Sequence, residues 1–223
     1  MLVLQKLTSN KLTYKLEYER HLPHIQPPGA AFFVTYRLAG SIPAAKMREL
    51  VAETDRLKQE LEQIEETAVR HEQQYLAQKR LFSLWDTTLD STQHGPFWLK
   101  QEAIAQLVWD SLHYLDNDRY DLDTFTIMPN HTHVLFTPLA QSDADGNYYA
   151  LSSILHSLKS FTATKANALL CRKGQFWQHE SYDHIVRNEA ELDRIRRYIL
   201  YNPVKAGLVD DYRAWKWTYC KHW

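Results

Sequence analysis

Two strand-like segments separated by only two turn residues are the feature that most constrains the fold of this chain. Residues 120–128 and 131–138 are both rich in β-branched and aromatic residues and carry the alternation of a strand. Pro129 and Asn130 form the break between them. A connection this short joins only antiparallel strands, because a parallel crossover needs a dozen or more residues. The sequence therefore predicts an antiparallel hairpin.

Helix and strand patterns follow one another around this hairpin in a recognisable order. They predict, in chain order, a strand at 31–39, a long helix from 44 to about 82, a loop at 86–95, a helix at 96–117, the hairpin, a helix at 150–170, a strand within 174–188 and a helix from 189 to about 202 that Pro203 ends. This order predicts an α+β fold: a ferredoxin-like βαββαβ core with an antiparallel sheet and helices packed on it, plus a long helical insertion.

The predicted domain organisation has three parts. We expect an N-terminal extension at 1–29, a single domain at 30–209 and an aromatic and basic C-terminal tail at 210–223. The helical insertion occupies about 44–117, where a segment without glycine or proline runs from 44 to 82. Its long helix is interpreted either as a solvated helix or helical hairpin packed on the body, or as a coiled-coil arm.

The charge of the chain is unevenly distributed. The net charge of −1 argues against a generic nucleic-acid binder. Residues 151–223 nevertheless hold 12 Lys and Arg against 7 Asp and Glu, whereas residues 1–150 hold 14 against 20. A basic C-terminal third can contact phosphate even when the whole chain is nearly neutral.

Cysteine usage and hydropathy indicate the compartment. The two cysteines form no CxxC pair and no disulfide framework, which favours a reducing environment. No apolar run approaches the roughly 20 residues that a membrane-spanning helix needs, and the N-terminus lacks the apolar core of a signal peptide. We therefore expect a cytoplasmic protein without a membrane partner.

His131 and His133 lie within the second strand of the predicted hairpin. Side chains at positions i and i+2 of a strand point to the same face, so the two imidazoles stand side by side. Such a pair is a common way to present two ligands to a divalent ion. The pair alone is equally explained as two polar residues on the wet face of a sheet.

The last predicted helix carries a second candidate group. Tyr198 and Asn202 are four residues apart and share a helical face, and Arg194 and Arg197 lie nearby. They could serve as a nucleophile, an oxygen ligand and phosphate-neutralising groups. Taken alone, the helix is better explained by a rim tyrosine and by an asparagine that caps the helix before proline.

The histidine pair and the tyrosine helix together fit one reaction. A phenolate can attack a phosphodiester, which yields a phosphotyrosine link and a free 3′-hydroxyl. Because tyrosine ionises only near pH 10, it needs activation, and a metal ion supplies this while polarising the phosphate. Two imidazoles and one amide oxygen suit Mg²⁺ or Mn²⁺ acting on phosphate, although imidazole also suits Zn²⁺.

Five segments, in this order, give the chain its resemblance to a known family. They are PPGAAFFVTYRL, MPNHTHVLFTPL, LHSLKSFTATKAN, FWQHESYDHIVRN and RRYILYNPVKAGLV. With them the sequence resembles the REP-associated tyrosine transposases, which are related to the IS200/IS605 single-tyrosine transposases within the HUH endonuclease superfamily. The domain at 30–209 then corresponds to the single-tyrosine transposase domain. Thr132 departs from the hydrophobic residue that the family places between the two histidines.

The resemblance implies an activity and a set of functional residues. It implies a transposase-like, metal-dependent endonuclease and strand-transferase that acts on single-stranded DNA next to REP-type hairpins through a 5′-phosphotyrosine intermediate. By position the nucleophile is Tyr198, with Tyr201 and Tyr182 as competitors, and His131, His133 and Asn202 hold Mg²⁺ or Mn²⁺. The partners it implies are single-stranded or hairpin DNA, bound by a monomer or a homodimer.

Basic side chains of the C-terminal third are the candidates for DNA binding. They are Lys159, Lys165, Arg194 and Arg197. His184 could contact DNA or support the metal site, and Trp177 could stack on a base, but both are also explained as structural residues. Two other functions stay open: a catalytically inactive, domesticated protein that binds hairpin DNA, and a metal phosphodiesterase that uses activated water.

Overall fold

The computed structural model describes residues 27–92, 94–141 and 147–222. Most of the predicted N-terminal extension therefore lies outside the described residues. Within them, contacts divide the chain into two compact units. We call Gly40–Gly95 the helical unit, and we call the remaining described residues, 27–39 together with those from Pro96 onward, the sheet unit. Within the described ranges, no helix is long and apolar enough to cross a membrane.

The helical unit is a hairpin of two helices, α1 (Ala44–Glu62) and α2 (Thr67–Ser91). Near the turn, Leu57 and Leu61 pack against Ala77 and Leu81. Further from the turn, a second cluster contains Ile42, Leu50 and Leu89. Burial of these apolar stripes against each other stabilises the pair, since neither helix alone could cover its own.

The helical hairpin, one of the two interpretations of the 44–82 segment, is what the structure shows, whereas the loop predicted at 86–95 was wrong. The chain turns at residues 63–66, and α2 continues to Ser91. The turn contains neither glycine nor proline, so its position depends on the packing of the two apolar stripes. Glu65 and Glu66 stand directly before α2. Negative charge is favourable at a helix N-terminus, so this pair was a usable start signal.

Gly95 closes the helical unit. Its φ is +116°, and a Cβ at this position would lie 2.8 Å from the carbonyl oxygen of Gly40. Only glycine fits both the backbone conformation and the close approach. The first and last residues of the helical unit are therefore held together.

The sheet unit contains five strands and three α-helices among its described residues. The strands are β1 (Phe32–Arg37), β2 (Tyr120–Ile127), β3 (His131–Pro138), β4 (Tyr182–Ile185) and β5 (Thr218–Cys220), and the helices are α3 (Glu102–Tyr114), α4 (Leu151–Leu169) and α5 (Glu189–Lys205). The strand order is β4-β1-β3-β2-β5, and every pair is antiparallel. The first four strands with α3 and α4 make the βαββαβ core, so the predicted fold class is confirmed.

The predicted insertion extended too far along the chain. The helical unit ends at Gly95, whereas α3 belongs to the sheet unit. Ile104, Val108 and Leu112 of α3 are buried in the main hydrophobic core. The apolar face of α3 therefore covers the sheet, and α3 is the crossover helix between β1 and β2.

The sheet has two faces of different character. The face toward α3 and α4 is apolar and supplies much of the core: Phe32, Val34, Leu122, Phe125, Val134 and Phe136. On the opposite face, Thr35 stands across from His133, and Arg37 stands across from His131. Thr126 flanks His133 on the β2 side. The alternation of side chains in β1, β2 and β3 thus segregates a hydrophobic layer from a polar layer.

Two predicted elements near the C-terminal end differ from the observed ones. Pro203 lies inside α5, whose last turn continues to Lys205 and includes a hydrogen bond from the Ala206 N–H to the Asn202 carbonyl (2.9 Å). The helix passes through the proline because only one intrahelical bond is lost there.

The strand within 174–188 is limited to β4, preceded by a single bridge between Leu38 and Trp177. On either side of that bridge, the Ala39 N–H donates to the Phe176 carbonyl and the Gln178 N–H donates to the Arg37 carbonyl, each across 2.8 Å.

Candidate metal and tyrosine site

The histidine pair lies in β3, between β1 and β2. Both imidazoles are fully buried, and their Nε2 atoms are 3.0 Å apart. The ring centroids are separated by 4.6 Å. The alternation of the strand places both rings on its polar face, and the central position of β3 keeps that face rigid.

Each ring is also held through its other nitrogen. His131 Nδ1 lies 2.7 Å from Asn130 Oδ1, and His133 Nδ1 lies 2.7 Å from Thr35 Oγ1. Asn130 comes from the turn before β3, and Thr35 comes from the adjacent β1. These contacts help to fix the orientation of both rings, in which the two Nε2 atoms lie next to each other.

Helix α5 places Tyr198 against the histidine pair. The Tyr198 and His133 ring centroids are 5.5 Å apart in an edge-to-face arrangement. Phe33 of β1 also contacts the Tyr198 ring, at 5.9 Å. Asn202, one helical turn further along, donates from Nδ2 to the Tyr198 hydroxyl across 3.3 Å. The structure thus brings the predicted histidine, tyrosine and asparagine side chains into one cluster.

The other polar atom of the Asn202 side chain is its carbonyl oxygen, Oδ1. Asn202 is fully buried, and its Oδ1 has no hydrogen-bond partner among the described residues. The cap that ends α5 is Ala206, so the interpretation of Asn202 as a helix cap was wrong. A buried acceptor without a partner destabilises the fold by about 1–3 kcal/mol, and a bound ion or water is one explanation for such an atom.

The cluster fits a divalent cation in its geometry and its chemistry. Neighbouring ligands of an octahedral ion, with bonds of about 2.1 Å, lie about 3.0 Å apart. Neighbouring ligands of a tetrahedral zinc ion lie about 3.4 Å apart. The observed Nε2 separation of 3.0 Å is close to both values and is also a hydrogen-bond distance, so it brings the two nitrogens within reach of one ion without identifying that ion. The two imidazoles could therefore share an ion, and the Asn202 carbonyl oxygen is a ligand atom of a suitable kind.

The predicted DNA-binding residues occupy different environments. Arg194 and Arg197 are exposed on α5, and Lys165 is exposed on α4. Lys159 is half-buried, and its ammonium donates to the His179 carbonyl (2.8 Å) and to Ser181 Oγ (3.0 Å). Burial lowers the pKa of Lys159 to about 8. Arg194, Arg197 and Lys165 are thus available to solvent, whereas Lys159 is engaged within the protein.

An exposed aromatic pair lies beside the tyrosine helix. The Tyr201 ring is 4.7 Å from the Tyr212 ring, and Tyr201 is 52% exposed. The Arg213 guanidinium lies 5.2 Å from the Tyr212 ring. Sequence reasoning did not assign Tyr212 and Arg213 individually, although the aromatic and basic composition of the tail was the available signal.

The structure also places the residues with weaker assignments. Trp177 is buried, and its indole N–H donates to Thr162 Oγ1 (2.8 Å), so it belongs to the core. His184 pairs with Glu191 at the start of α5 (3.2 Å). His184 therefore links β4 to α5. Tyr182, a competitor for the role of nucleophile, lies on β4, and its ring centroid is 6.1 Å from that of Phe33.

Comparisons with known proteins support the sequence resemblance. No family model matches the chain. It is 28% identical over 109 residues to a Haemophilus influenzae protein named "Putative REP-associated tyrosine transposase". That match spans 45% of this chain and 60% of the relative.

A solved structure shares the fold of this chain. It is described as a REP-associated tyrosine transposase bound to a REP hairpin, with a TM-score of 0.50 and 16% sequence identity. The likeness covers 89% of this chain and 81% of that one. Similarity in sequence to one such protein and in fold to another confirms that this chain resembles the REP-associated tyrosine transposases.

Proposed function

We propose that the chain is a metal-dependent endonuclease and strand-transferase that acts on single-stranded DNA next to REP-type hairpins. The observation that carries the proposal is the cluster on the polar face of the sheet. There, Tyr198 and Asn202 of α5 meet the paired imidazoles of β3. The names of the relative and of the structural neighbour support the substrate class.

In the proposed reaction, Tyr198 is the nucleophile. Its phenolic oxygen attacks the phosphorus, the bond from phosphorus to the 3′ oxygen breaks, and that oxygen takes a proton and leaves as a 3′-hydroxyl. The remaining strand is held as a 5′-phosphotyrosine. Attack by another 3′-hydroxyl reverses the step and joins strands, which accounts for strand transfer.

Two neighbours place a hydrogen-bond donor and a positive charge beside Tyr198. The Asn202 side-chain N–H donates to the phenolic oxygen. The Lys205 ammonium lies 5.7 Å from the centroid of the Tyr198 ring. A divalent ion held by His131, His133 and Asn202 Oδ1 would supply polarisation of the scissile phosphate.

The exposed face of α5 is the proposed path of the DNA strand. Arg194, Arg197, Tyr201 and Lys205 follow one another at three- and four-residue steps along this face, and all four are exposed. Arginine and lysine neutralise phosphates, and exposed aromatic rings stack on unpaired bases. This arrangement suits a single strand that passes Tyr198, which lies on the same side of the helix.

A covalent-capture experiment tests the proposal. Hairpin DNA with a labelled single-stranded flank is incubated with the protein and MgCl₂ or MnCl₂ and then separated on a denaturing protein gel. We expect a labelled protein–DNA adduct with the wild type and with Tyr201→Phe, and none with Tyr198→Phe or with chelator.

The same experiment separates the alternative functions. Hairpin binding without any adduct would indicate a catalytically inactive DNA-binding protein. Cleavage without an adduct would indicate a phosphodiesterase that uses water. An adduct that persists in Tyr198→Phe but not in Tyr201→Phe would reassign the nucleophile.

A further inference from the structure

We propose that Tyr201 and the turn that follows α5 form a binding site for one unpaired base of the DNA strand. The proposal rests on the proposed function, because it takes single-stranded DNA as the ligand. The site combines Tyr201 of α5 with Tyr212 and Arg213, which lie in a short 3₁₀ helix at Tyr212–Ala214. The aromatic and basic tail thereby acquires a role in DNA binding.

The Tyr201 ring is supported on one side and still accessible. Its centroid lies 4.7 Å from that of Tyr212, with 44° between the ring planes, and 52% of Tyr201 stays exposed. The Arg213 guanidinium lies over the Tyr212 ring at 5.2 Å. The Asp211 carboxylate accepts a hydrogen bond from the Arg213 N–H across 2.9 Å, which fixes the turn. A ring that is already held in place loses little conformational entropy when a base stacks on it.

Two cations flank Tyr201 along the same face of α5. Arg197 precedes Tyr201 by four residues, Lys205 follows it by four, and both are exposed. A step of four residues in a helix advances by about 6 Å and returns to nearly the same face. A nucleotide within a strand likewise has one base between two phosphates. The order of cation, aromatic ring and cation therefore suits phosphate, base and phosphate of a single strand.

The position of Tyr201 relative to Tyr198 determines which base the site would bind. Tyr198 precedes Tyr201 by three residues, and the Lys205 ammonium lies 5.7 Å from the Tyr198 ring centroid. A strand whose phosphate is attacked by Tyr198 therefore carries a neighbouring base past Tyr201. Because every base has a face that can stack, the site should require a base at this position without selecting its identity.

Removal of the ring and removal of the base together form a double-mutant cycle. Hairpin DNA with a single-stranded flank is prepared with one abasic site at each flank position in turn. Binding is measured by fluorescence anisotropy in chelator, which keeps the strand intact. We expect one position at which the abasic site weakens binding to wild type by about 5- to 100-fold, the range for one stacked base. Tyr201→Ala should bind intact DNA about as weakly, and the same abasic site should then have little further effect.

Three further variants control for the ring, the fold and the tail. Tyr201→Phe keeps an aromatic ring and should bind like wild type. Tyr114→Ala removes a tyrosine that is 83% exposed on α3 and should leave the affinity unchanged. Tyr212→Ala removes the supporting ring and should weaken binding by less than Tyr201→Ala does. The thermal midpoint of each variant checks folding.

The possible outcomes separate this inference from the proposed function. Additive effects of Tyr201→Ala and the abasic site at every flank position would overturn the base site, even if Tyr198 forms the covalent adduct. Wild-type affinity in Tyr212→Ala would overturn the role of the tail. Non-additive losses without any adduct would support the base site while refuting the proposed cleavage. Absence of binding to flanked hairpin DNA by the wild type would overturn both.

Discussion

Replacement of Asn202 by leucine should separate the stability of this protein from its metal binding. Leucine has the same branching and the same number of non-hydrogen side-chain atoms as asparagine. The substitution removes a buried carbonyl oxygen that has no hydrogen-bond partner among the described residues. It also removes the 3.3 Å bond to the Tyr198 hydroxyl. Removal of the oxygen should stabilise the folded state. Loss of the hydrogen bond should destabilise it, but by a smaller amount.

The magnitude follows from these two contributions. Relief of an unpartnered buried acceptor is worth about 1–3 kcal/mol, and loss of a long, neutral hydrogen bond costs about 0.5–1 kcal/mol. We therefore expect a net stabilisation of about 1 kcal/mol in chelator, which raises the melting temperature of a chain of this size by about 2–4 °C. A ligand at 100 times its dissociation constant stabilises its site by about 2.7 kcal/mol. With saturating MnCl₂ the wild type should thus become the more stable protein.

Thermal unfolding in chelator and across a MnCl₂ titration measures both quantities. Asn202→Asp is the matched control, because it keeps an oxygen ligand and should retain the response to Mn²⁺. The reasoning is refuted if Asn202→Leu is less stable than wild type in chelator by 1 kcal/mol or more. It is also refuted if the variant gains as much stability from Mn²⁺ as the wild type does.

Two further predictions concern the attachment of α5 and its exposed face. Asp123→Asn should destabilise the protein by about 1–2 kcal/mol at pH 7, because it weakens the paired hydrogen bonds from Arg196 (2.7 and 2.9 Å). Burial opposes ionisation of Asp123, but its hydrogen bonds and the nearby positive charge outweigh burial and lower its pKa. The contribution of Asp123 to the free energy of unfolding is therefore complete above about pH 4 and is lost as the pH falls through the pKa of the folded state. Urea unfolding between pH 2 and 7 measures the loss of stability in Asp123→Asn and in the exposed control Asp121→Asn. Equal losses in the two variants would contradict the role of the pair with Arg196. Arg194→Ala and Arg197→Ala should each weaken hairpin binding and reduce the slope of log affinity against log salt by about 0.7–0.9, and an unchanged slope in fluorescence titrations would remove them from the DNA path.

The histidine and tyrosine positions could be found from the sequence because both depend on local periodicity. The two-residue repeat of a strand places His131 and His133 on one face whatever the rest of the fold does. The spacing of a helix does the same for Tyr198 and Asn202. The fold class likewise followed from the order of elements around a short hairpin. What the sequence left open was whether the two faces meet, and that depends on how α5 packs on the sheet.

Other features were beyond such reasoning because they depend on tertiary contacts. Thr35 contacts His133 only through the register of β1 against β3, which joins residues 98 positions apart. The fold-back of the long helix depends on packing between Leu61 and Leu81 rather than on any breaker residue. Lys159 was indistinguishable from a solvated helical lysine until its contacts with His179 and Ser181 were known.

The short strand β5 has a consequence for the handling of the protein in solution. It pairs with β2, which is eight residues long, while β4 at the other edge has four. Long, open sheet edges promote aggregation by pairing with other molecules, and short edge strands protect against it. Removal of residues 210–222 would uncover the outer edge of β2. Versions of this chain that lack the segment should therefore self-associate. A C-terminal purification tag should follow residues 210–222 and not replace them.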